Sequence, residues 1–470
     1  MNSNEFYYHL VNQSSVALTA KQEQFLQMIA RFLFQTQDDR LFILKGYAGT
    51  GKTTMLSLVV NSLAMIGKKS VMLAPTGRAA KVIAGYSNKP AYTIHKWIYF
   101  SQKDGGFVLK KNKHKDTVFI VDESSMISDY ATEYIGKTQK SLLEDLITYV
   151  YLGTNCQLIF TGDTAQLPPI GSEESPALSS YYLSSNFPVE VEEIELNEVV
   201  RQAEDSGILY NATELRSMIE EDFFEFFNFQ TQYFKDIRRL TDSYDILDAI
   251  HDSYSRKGVE DTIFIVRSNK RANQYNQQIR FKILDREGEL CAGDLVMVVK
   301  NNYFWLKESK ITDFIANGDV MEILQIYKFI ELYGFRFASV RVQMIDYPDL
   351  APFDTIVLLD TLNADAPALT YEQNQMLYQE IAKDYEDISQ AYLRMQKIKN
   401  NEYFNALQIK FAYAVTCHKA QGGQWDTVFV EQPYLPEGLS KDAVRWLYTA
   451  LTRTQKKAYL IGFEDKYFDN

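Results

Sequence analysis

Residues 40–54 read Arg-Leu-Phe-Ile-Leu-Lys-Gly-Tyr-Ala-Gly-Thr-Gly-Lys-Thr-Thr. The apolar run 41–44 predicts a buried parallel strand, and the Gly-rich turn behind it leads into an amphipathic helix. Gly46, Gly49 and Gly51 let the backbone curl around a polyphosphate, and the N-terminus of the helix presents its positive end to the same anion. The stretch therefore predicts a binding site for a nucleoside triphosphate.

Two side chains complete the predicted chemistry of this phosphate loop. Lys52 would reach the β- and γ-phosphates, and the hydroxyl of Thr53 would bind Mg²⁺. The alternative is a Gly-rich turn with a surface lysine, which the flanking strand and helix disfavour. We therefore expect ATP as substrate and Mg²⁺ as cofactor.

Composition limits the class of protein. A chain of 470 residues is too long for one hydrophobic core and predicts about two to four domains. The formal charge of −12 argues against a protein that coats nucleic acid, although a local basic groove can still bind a strand. Cys156, Cys291 and Cys417 lie far apart, as expected for reduced thiols in the cytoplasm. No apolar run approaches the roughly 20 residues that span a bilayer, so we expect a soluble, unprocessed protein with no membrane partner.

Polar residues follow several other predicted strands or begin a helix. Gln22 starts a helix and could read an adenine edge, because an amide both donates and accepts. Asp122 and Glu123 follow the buried strand 117–121, where they would hold the Mg²⁺ shell and polarise the attacking water. Gln166 follows a further strand and suits a contact with a γ-phosphate oxygen and a water. Arg201 is an isolated arginine behind another strand.

Residues 98–117 interrupt the α/β pattern. Two short strands flank the turn Asp104-Gly-Gly, which is typical of a β-hairpin. Phe107 follows the turn and could stack on a base, and lysines surround it. A solvated hairpin with charged edges is the equally plausible alternative.

The second half of the chain repeats the α/β pattern without a second phosphate loop. It begins with the buried strand 262–266 and resumes at 409–416. Between them, residues 325–404 combine short β-like runs with a charged helix at 372–399, as expected for a small inserted domain.

The ordered motifs resemble those of the superfamily 1B helicases of the RecD and Dda type. The motifs that carry the resemblance are Gln22, Gly-Tyr-Ala-Gly-Thr-Gly-Lys-Thr (46–53), Ala-Pro-Thr-Gly-Arg-Ala-Ala (74–80), Thr-Ile-His (93–95), Asp-Glu-Ser-Ser-Met (122–126), Gly-Asp-x-x-Gln-Leu-Pro-Pro (162–169), Val-Val-Arg-Gln (199–202), Thr-x-His-Lys-x-Gln-Gly (416–422) and Tyr-Thr-Ala-Leu-Thr-Arg (448–453).

The resemblance implies an α/β fold with two RecA-like parallel-sheet domains. The first, domain 1A, would comprise 1–97 and 118–204, with a pin hairpin (domain 1B) at 98–117. The second, domain 2A, would comprise 205–324 and 405–470, with an SH3-like insertion (domain 2B) at 325–404.

The resemblance also implies a set of site residues. The catalytic residues would be Lys52, Glu123, Gln166, Arg201 and Arg453, with Arg453 reaching over from the second domain. The ATP-binding positions would be Gln22, Gly46, Ala48, Gly49, Thr50, Gly51, Lys52, Thr53, Thr54 and Gly422, and the metal would lie at Thr53 and Asp122. The DNA contacts would be Thr76, Thr93, His95, Phe107, Thr416 and His418.

The implied activity is ATP-driven 5′-to-3′ movement on single-stranded DNA with unwinding of duplex junctions, by a monomer. Two alternatives have a similar nucleotide site: a nucleotide-dependent DNA-binding switch, and a single-strand translocase that separates no strands. A nuclease would need a further carboxylate cluster with its own metal, and no compact one stands out in the sequence.

Overall fold

The computed structural model describes residues 1–35, 39–101, 107–130, 132–134, 137–199, 205–306, 314–435 and 438–468. For residues 101, 107, 132–134 and 137–139 it describes the backbone alone. No helix in these ranges combines the length and apolar character needed to cross a bilayer.

Most helices begin at a Ser, Thr, Asn or Asp whose side chain accepts a backbone N–H of the first turn. The helices are α1 (Ser3–Gln13), α2 (Ala20–Phe34), α3 (Lys52–Ser62), α4 (Gly77–Ser87), α5 (Ile94–Ile98), α6 (Leu142–Tyr151), α7 (Ser180–Asn186), α8 (Gly207–Glu221), α9 (Ser243–Lys257), α10 (Asn269–Lys282), α11 (Tyr371–Lys383), α12 (Ala391–Lys399), α13 (Cys417–Ala420) and α14 (Lys441–Leu451).

Within the described ranges, the strands form two open sheets, one closed barrel and two antiparallel two-stranded pairs. They are β1 (Arg40–Gly46), β2 (Lys69–Ala74), β3 (Ala91–Thr93), β4 (Tyr99–Ser101), β5 (Phe107–Leu109), β6 (Thr117–Val121), β7 (Thr132–Tyr134), β8 (Lys137–Gln139), β9 (Gln157–Gly162), β10 (Glu190–Leu196), β11 (Ile237–Leu240), β12 (Thr262–Val266), β13 (Leu295–Val298), β14 (Val320–Leu332), β15 (Phe335–Met344), β16 (Phe353–Leu358), β17 (Leu407–Phe411), β18 (Ala414–Thr416), β19 (Trp425–Glu431) and β20 (Thr454–Ile461).

The first open sheet has the order β10-β1-β9-β6-β2-β3, and all its strands are parallel. Strands β6 and β9 are buried along their whole length, which explains their continuous apolar runs. Helices cover both faces with separate apolar clusters. The carboxyl ends of β1, β6 and β9 therefore meet at one edge, where ligands of parallel sheets bind.

The second open sheet has the order β11-β20-β19-β12-β18 and is also parallel. The α/β fold with two RecA-like parallel sheets is confirmed.

A closed barrel of β13 to β17 is inserted into the second sheet. Its strands β13 and β17 lie outside the predicted insertion 325–404, and β14 starts before it. The predicted boundaries are therefore too narrow for the barrel. The predicted helix 372–399 is two helices, α11 and α12, and Ile381 of the first and Ile398 of the second pack into the same small core beside the barrel.

Within 98–117, β4 and β5 form an antiparallel pair with Tyr99 opposite Leu109. The turn at 102–106 and the side chain of Phe107 lie outside the described part of the chain. A second hairpin, β7–β8, was not predicted.

A short joint connects the barrel to the second sheet. Only Ala412 and Tyr413 lie between β17 and β18. The Asn276 side chain accepts the N–H groups of Tyr413 (3.0 Å) and Ala414 (2.8 Å) and donates to the carbonyls of Phe411 (3.3 Å) and Ala414 (2.9 Å). The joint is therefore held on both sides by one buried amide.

Candidate active site

A cavity of 380 Å³ lies between the two open sheets, at the carboxyl ends of β1, β6 and β9. Residues of both domains contribute to its walls. The lining residues are Tyr47, Ala48, Gly49, Gly51, Lys52, Thr53, Val82, Tyr86, Asp122, Glu123, Asp163, Gln166, Ser206, Ile208, Leu209, Gln424, Thr452, Arg453, Thr454 and Gln455.

The phosphate loop connects the end of β1 to the start of α3, as predicted. Gly49 (φ +77°) and Gly51 (φ +79°) adopt the left-handed conformation that glycine tolerates best. A Cβ on Gly49 would also lie 3.2 Å from the Leu209 side chain. Thr50 donates its hydroxyl to the Tyr47 carbonyl (2.8 Å), so the loop is preformed.

Gln22 supports this loop from behind. Its buried amide donates to the Thr50 carbonyl (3.0 Å), and its oxygen accepts the N–H of Thr19 (3.1 Å) in a capping box. The amide that was expected to read an adenine edge is thus engaged within the chain, and an adenine contact would compete with these bonds.

Asp122 and Glu123 lie at the end of β6, across the cavity from the loop. Asp122 accepts the hydroxyl of Tyr86 (2.7 Å) and the N–H of Glu123 (2.9 Å). Burial raises the pKa of the Asp122 carboxyl, and the charge of Lys52 opposes that rise. Glu123 itself adopts a left-handed conformation (φ +53°), a strained geometry that is common at functional sites.

Asp163 and Gln166 come from the loop behind β9. Burial raises the pKa of Asp163, again opposed by Lys52. The Gln166 oxygen is buried and has no hydrogen-bond partner in the described ranges, which leaves it available to a ligand in the cavity. Asp163 was missing from the predicted site, although Gly-Asp before Gln166 is part of the motif at 162–169.

Arg453 enters the cleft from the second sheet. Only 3% of it is exposed, and its guanidinium lies 3.5 Å from a Glu123 carboxylate oxygen and 3.4 Å from the Gly423 carbonyl. An arginine of one domain thus faces an acid of the other beside the phosphate loop. Arg201, the other predicted arginine, lies outside the described residues.

The predicted DNA contacts lie on loops at the ends of strands. The hydroxyls of Thr76 and Thr93 accept the first-turn N–H groups of α4 (3.2 Å) and α5 (3.3 Å), whereas the Thr416 side chain makes no such cap. Burial lowers the pKa of His95 to about 4 and also lowers the pKa of His418. Burial therefore favours the neutral form of both imidazoles, which can contact a phosphate by hydrogen bonding.

Gly422 lies at the contact between the two domains. A Cβ there would be 2.8 Å from the Ala79 Cβ and 3.2 Å from the Thr76 hydroxyl oxygen, and its φ is +74°. The structure thus places this predicted ATP-binding residue against the start of α4. Gln424, two residues further, lines the nucleotide cavity instead.

The barrel also packs on α4, through a buried carboxyl group. Asp319 is 1% exposed, and a Cβ on Gly77 would lie 2.5 Å from its Oδ1. Oδ2 accepts the Ala316 N–H (2.7 Å), whereas Oδ1 has no hydrogen-bond partner among the residues that are described. Burial raises the pKa of Asp319 to about 8.

We expect Asp319→Asn to stabilise the protein increasingly as pH rises. The folded pKa exceeds the unfolded value of ~3.9, so the contribution of Asp319 is fully present below pH ~4 and is lost as pH rises through 8. Asparagine cannot ionise and avoids that loss, which is on the order of a few kcal/mol between pH 5 and pH 8. Urea unfolding of both proteins at pH 5 and pH 8 measures the effect, with exposed Asp349→Asn as control. A constant difference between the two pH values would contradict this prediction.

Two known protein families match the chain. One matches the segment that contains the first open sheet, and the other matches part of the second open sheet. The family described as "AAA domain" matches residues 17–227, and "UvrD-like helicase C-terminal domain" matches residues 411–461.

Several curated proteins and a solved structure are similar to most of the chain or to part of it. An uncharacterised protein, MJ1519, of Methanocaldococcus jannaschii is 24% identical over 94% of this chain, which spans 38% of that protein's length. The ATP-dependent DNA helicase dda of Enterobacteria phage T4 is 23% identical, with 89% of this chain and 93% of dda covered. The ATP-dependent RecD2 DNA helicase of Deinococcus radiodurans is 30% identical over 39% of this chain and 22% of its own length. A crystal structure of Pif1 helicase from Bacteroides with ADP-AlF3 and single-stranded DNA aligns with a TM-score of 0.47 at 16% identity, covering 97% of this chain and 95% of that one.

The family matches fall on the elements that build the cleft. The first covers the phosphate loop and the acids behind β6 and β9, and the second covers α13, α14 and Arg453. The relatives that match along nearly the whole chain include a protein named as an ATP-dependent DNA helicase. These matches confirm the predicted resemblance of the chain to the superfamily 1B helicases of the RecD, Pif1 and Dda type.

Proposed function

We propose that this protein is an ATP-dependent DNA helicase that moves 5′ to 3′ along single-stranded DNA and unwinds duplex ahead of it. The observation that carries the proposal is Arg453 of the second domain facing Glu123 of the first across a cavity that contains the phosphate loop. Neither domain has the complete site alone, so hydrolysis requires the cleft to be closed.

Each cavity residue has a role in this scheme. The loop N–H groups and Lys52 bind the β- and γ-phosphates, Glu123 orients and deprotonates the attacking water, and Gln166 holds that water against the γ-phosphate. Arg453 stabilises the charge that develops during transfer.

Thr53 and Asp122 fit a magnesium ion. Both line the cavity, and a hydroxyl with a carboxylate is a donor set that Mg²⁺ prefers. The buried Asp122 carboxyl, whose pKa burial raises, would be favoured in its charged form by a cation beside it. When bound, Mg²⁺ neutralises charge on the phosphate oxygens.

Movement on DNA follows from cleft closure in this proposal. Thr76, Thr93 and His95 hold the strand on the first domain, and Thr416 and His418 hold it on the second. Hydroxyl and neutral imidazole groups suit contacts with phosphates that carry no sequence information. Closing and reopening the cleft changes the distance between the two sets, which moves the strand stepwise. The hairpin β4–β5 would separate the strands, with Phe107 capping the last base pair.

A tailed-duplex assay tests the proposal. The purified protein with Mg²⁺ and ATP should unwind a duplex that carries only a 5′ single-stranded tail and leave blunt and 3′-tailed duplexes intact. ATP hydrolysis should be stimulated by the single strand in the same reactions. Unwinding from the 3′ tail would contradict the polarity. Stimulated hydrolysis without unwinding would favour a translocase that separates no strands, and ATP binding without hydrolysis would favour a switch.

A further inference from the structure

The side chain of Tyr448 crosses from the second domain into the nucleotide site. The residue lies on α14 and is 1% exposed. Its hydroxyl donates to Asp163 Oδ2 (2.6 Å) and accepts the N–H of Ala48 (2.9 Å). A phenol has one proton, which this arrangement directs to Asp163, while a lone pair receives the N–H. One hydroxyl thus joins the phosphate loop to the loop behind β9.

Ala48 belongs to the part of the phosphate loop that lines the cavity. A phosphate oxygen is a charged acceptor and forms a stronger hydrogen bond with an N–H than a phenol oxygen does. A bound triphosphate would therefore compete with Tyr448 for this N–H. When the phosphate loop is filled, the Tyr448 hydroxyl would lose its hydrogen bond from the Ala48 N–H. Its hydrogen bond to Asp163 would remain, because the triphosphate does not compete for it.

Helix α14 links this hydroxyl to the catalytic arginine. The next residue, Thr449, accepts the N–H of Leu167 (2.9 Å) in the first domain, and Gln421 donates to the Leu167 carbonyl (2.7 Å). Arg453 lies two residues beyond the end of α14 and donates from Nε back to the Thr449 carbonyl (3.2 Å). A shift of Tyr448 relative to the phosphate loop therefore changes where Arg453 lies.

We propose that Tyr448 is a positioning residue through which the second domain senses whether the phosphate loop is filled and places Arg453 accordingly. The inference rests on the proposed ATP hydrolysis at this site. It assigns to the tyrosine of the Tyr-Thr-Ala-Leu-Thr-Arg segment a role in hydrolysis rather than in packing alone.

Tyr448→Phe tests the role because it keeps the buried ring and removes both hydrogen bonds. With saturating single-stranded DNA, we expect kcat for ATP hydrolysis to fall at least about tenfold, as expected for a lost hydrogen bond to a carboxylate that matters in the transition state. The KM for ATP should change by less than about twofold, since the phosphate contacts of Lys52 and the loop remain.

Tyr413→Phe is a matched control. Tyr413 is also 1% exposed, and its hydroxyl likewise donates to a buried carboxylate, Asp294 (3.0 Å), and accepts a backbone N–H, that of Leu295 (3.0 Å). It differs from Tyr448 in also accepting an N–H of Arg286 (2.5 Å). These bonds lie in the second domain, away from the cleft. We expect this variant to lower Tm and leave kcat within about twofold of wild type. If Tyr448→Phe shows the same pattern, with a lower Tm and an unchanged kcat, the proposal is overturned.

A double mutant adds a second criterion. Asp163→Asn weakens the acceptor of the Tyr448 hydroxyl, so adding Tyr448→Phe should lower kcat little further than the more damaging single variant does. Losses that multiply would show independent roles and overturn the proposal. Failure of the proposed function is distinguishable, because it appears as a wild type whose ATP hydrolysis is not stimulated by DNA.

Discussion

Lys52→Ala is expected to lower ATP hydrolysis at least about 10³-fold while the protein stays folded. Lys52 is the first residue of α3 and lines the cavity, so its removal takes nothing from the apolar core. It also carries the positive charge that opposes the raised pKa values of Asp122 and Asp163. Without Lys52, the γ-phosphate and both acids lose a neighbouring cation, which raises the barrier to phosphoryl transfer.

The measurement is steady-state ATP hydrolysis with saturating single-stranded DNA, accompanied by a thermal melt. Lys383→Ala is the control, because it removes an equal charge from an exposed lysine that is paired with Glu380 (2.7 Å) on α11. The control should hydrolyse ATP at the wild-type rate. Wild-type turnover by pure Lys52→Ala would exclude the proposed site.

Arg453→Gln is expected to bind ATP nearly normally but to hydrolyse it about 10³-fold more slowly. The 3.5 Å separation from Glu123 is long for a tight ion pair, so the guanidinium can turn to the γ-phosphate without breaking a strong bond. The guanidinium stabilises mainly the charge of the transition state, so kcat should fall while the affinity for ATP stays nearly unchanged. Arg453→Lys should recover little, because lysine lacks the planar fork of arginine.

Single-turnover hydrolysis and equilibrium binding of ATP separate the two effects. Arg271→Gln is the control, since Arg271 lies on the surface of the same domain and pairs with Glu431. An unchanged kcat for Arg453→Gln would make Arg453 a structural residue, and Arg201 would become the better candidate.

The parts of the site that the sequence predicted are those encoded in local patterns. Glycine spacing with Lys52, and a buried strand that ends in Asp122 and Glu123, each specify a geometry within a few residues. Tyr448 and Tyr86 were missed as site residues because an apolar helix with a tyrosine looks like core packing, and only the tertiary structure brings their hydroxyls to Asp163 and Asp122.

The extent of the barrel could not be predicted from the sequence for a different reason. Strands β13 and β17 are short and buried, so their residue pattern is the same as that of a parallel core strand. Their pairing partners are far away in sequence, and pairing decides which sheet they join. The contacts of Gln22 and Gly422 could not be predicted for the same reason. Their motifs were recognised in the sequence, but the residues that they contact lie on loops from elsewhere in the fold.

The joint between the barrel and the second sheet has a mechanical consequence. A hinge needs backbone that is free to rotate, but Asn276 holds the polar groups on both sides of Ala412 and Tyr413. The connection between β17 and β18 is therefore stiff and does not have the free backbone of a hinge. A rotation of the barrel relative to β18 at this connection would therefore first have to break the hydrogen bonds that Asn276 makes to Tyr413 and Ala414.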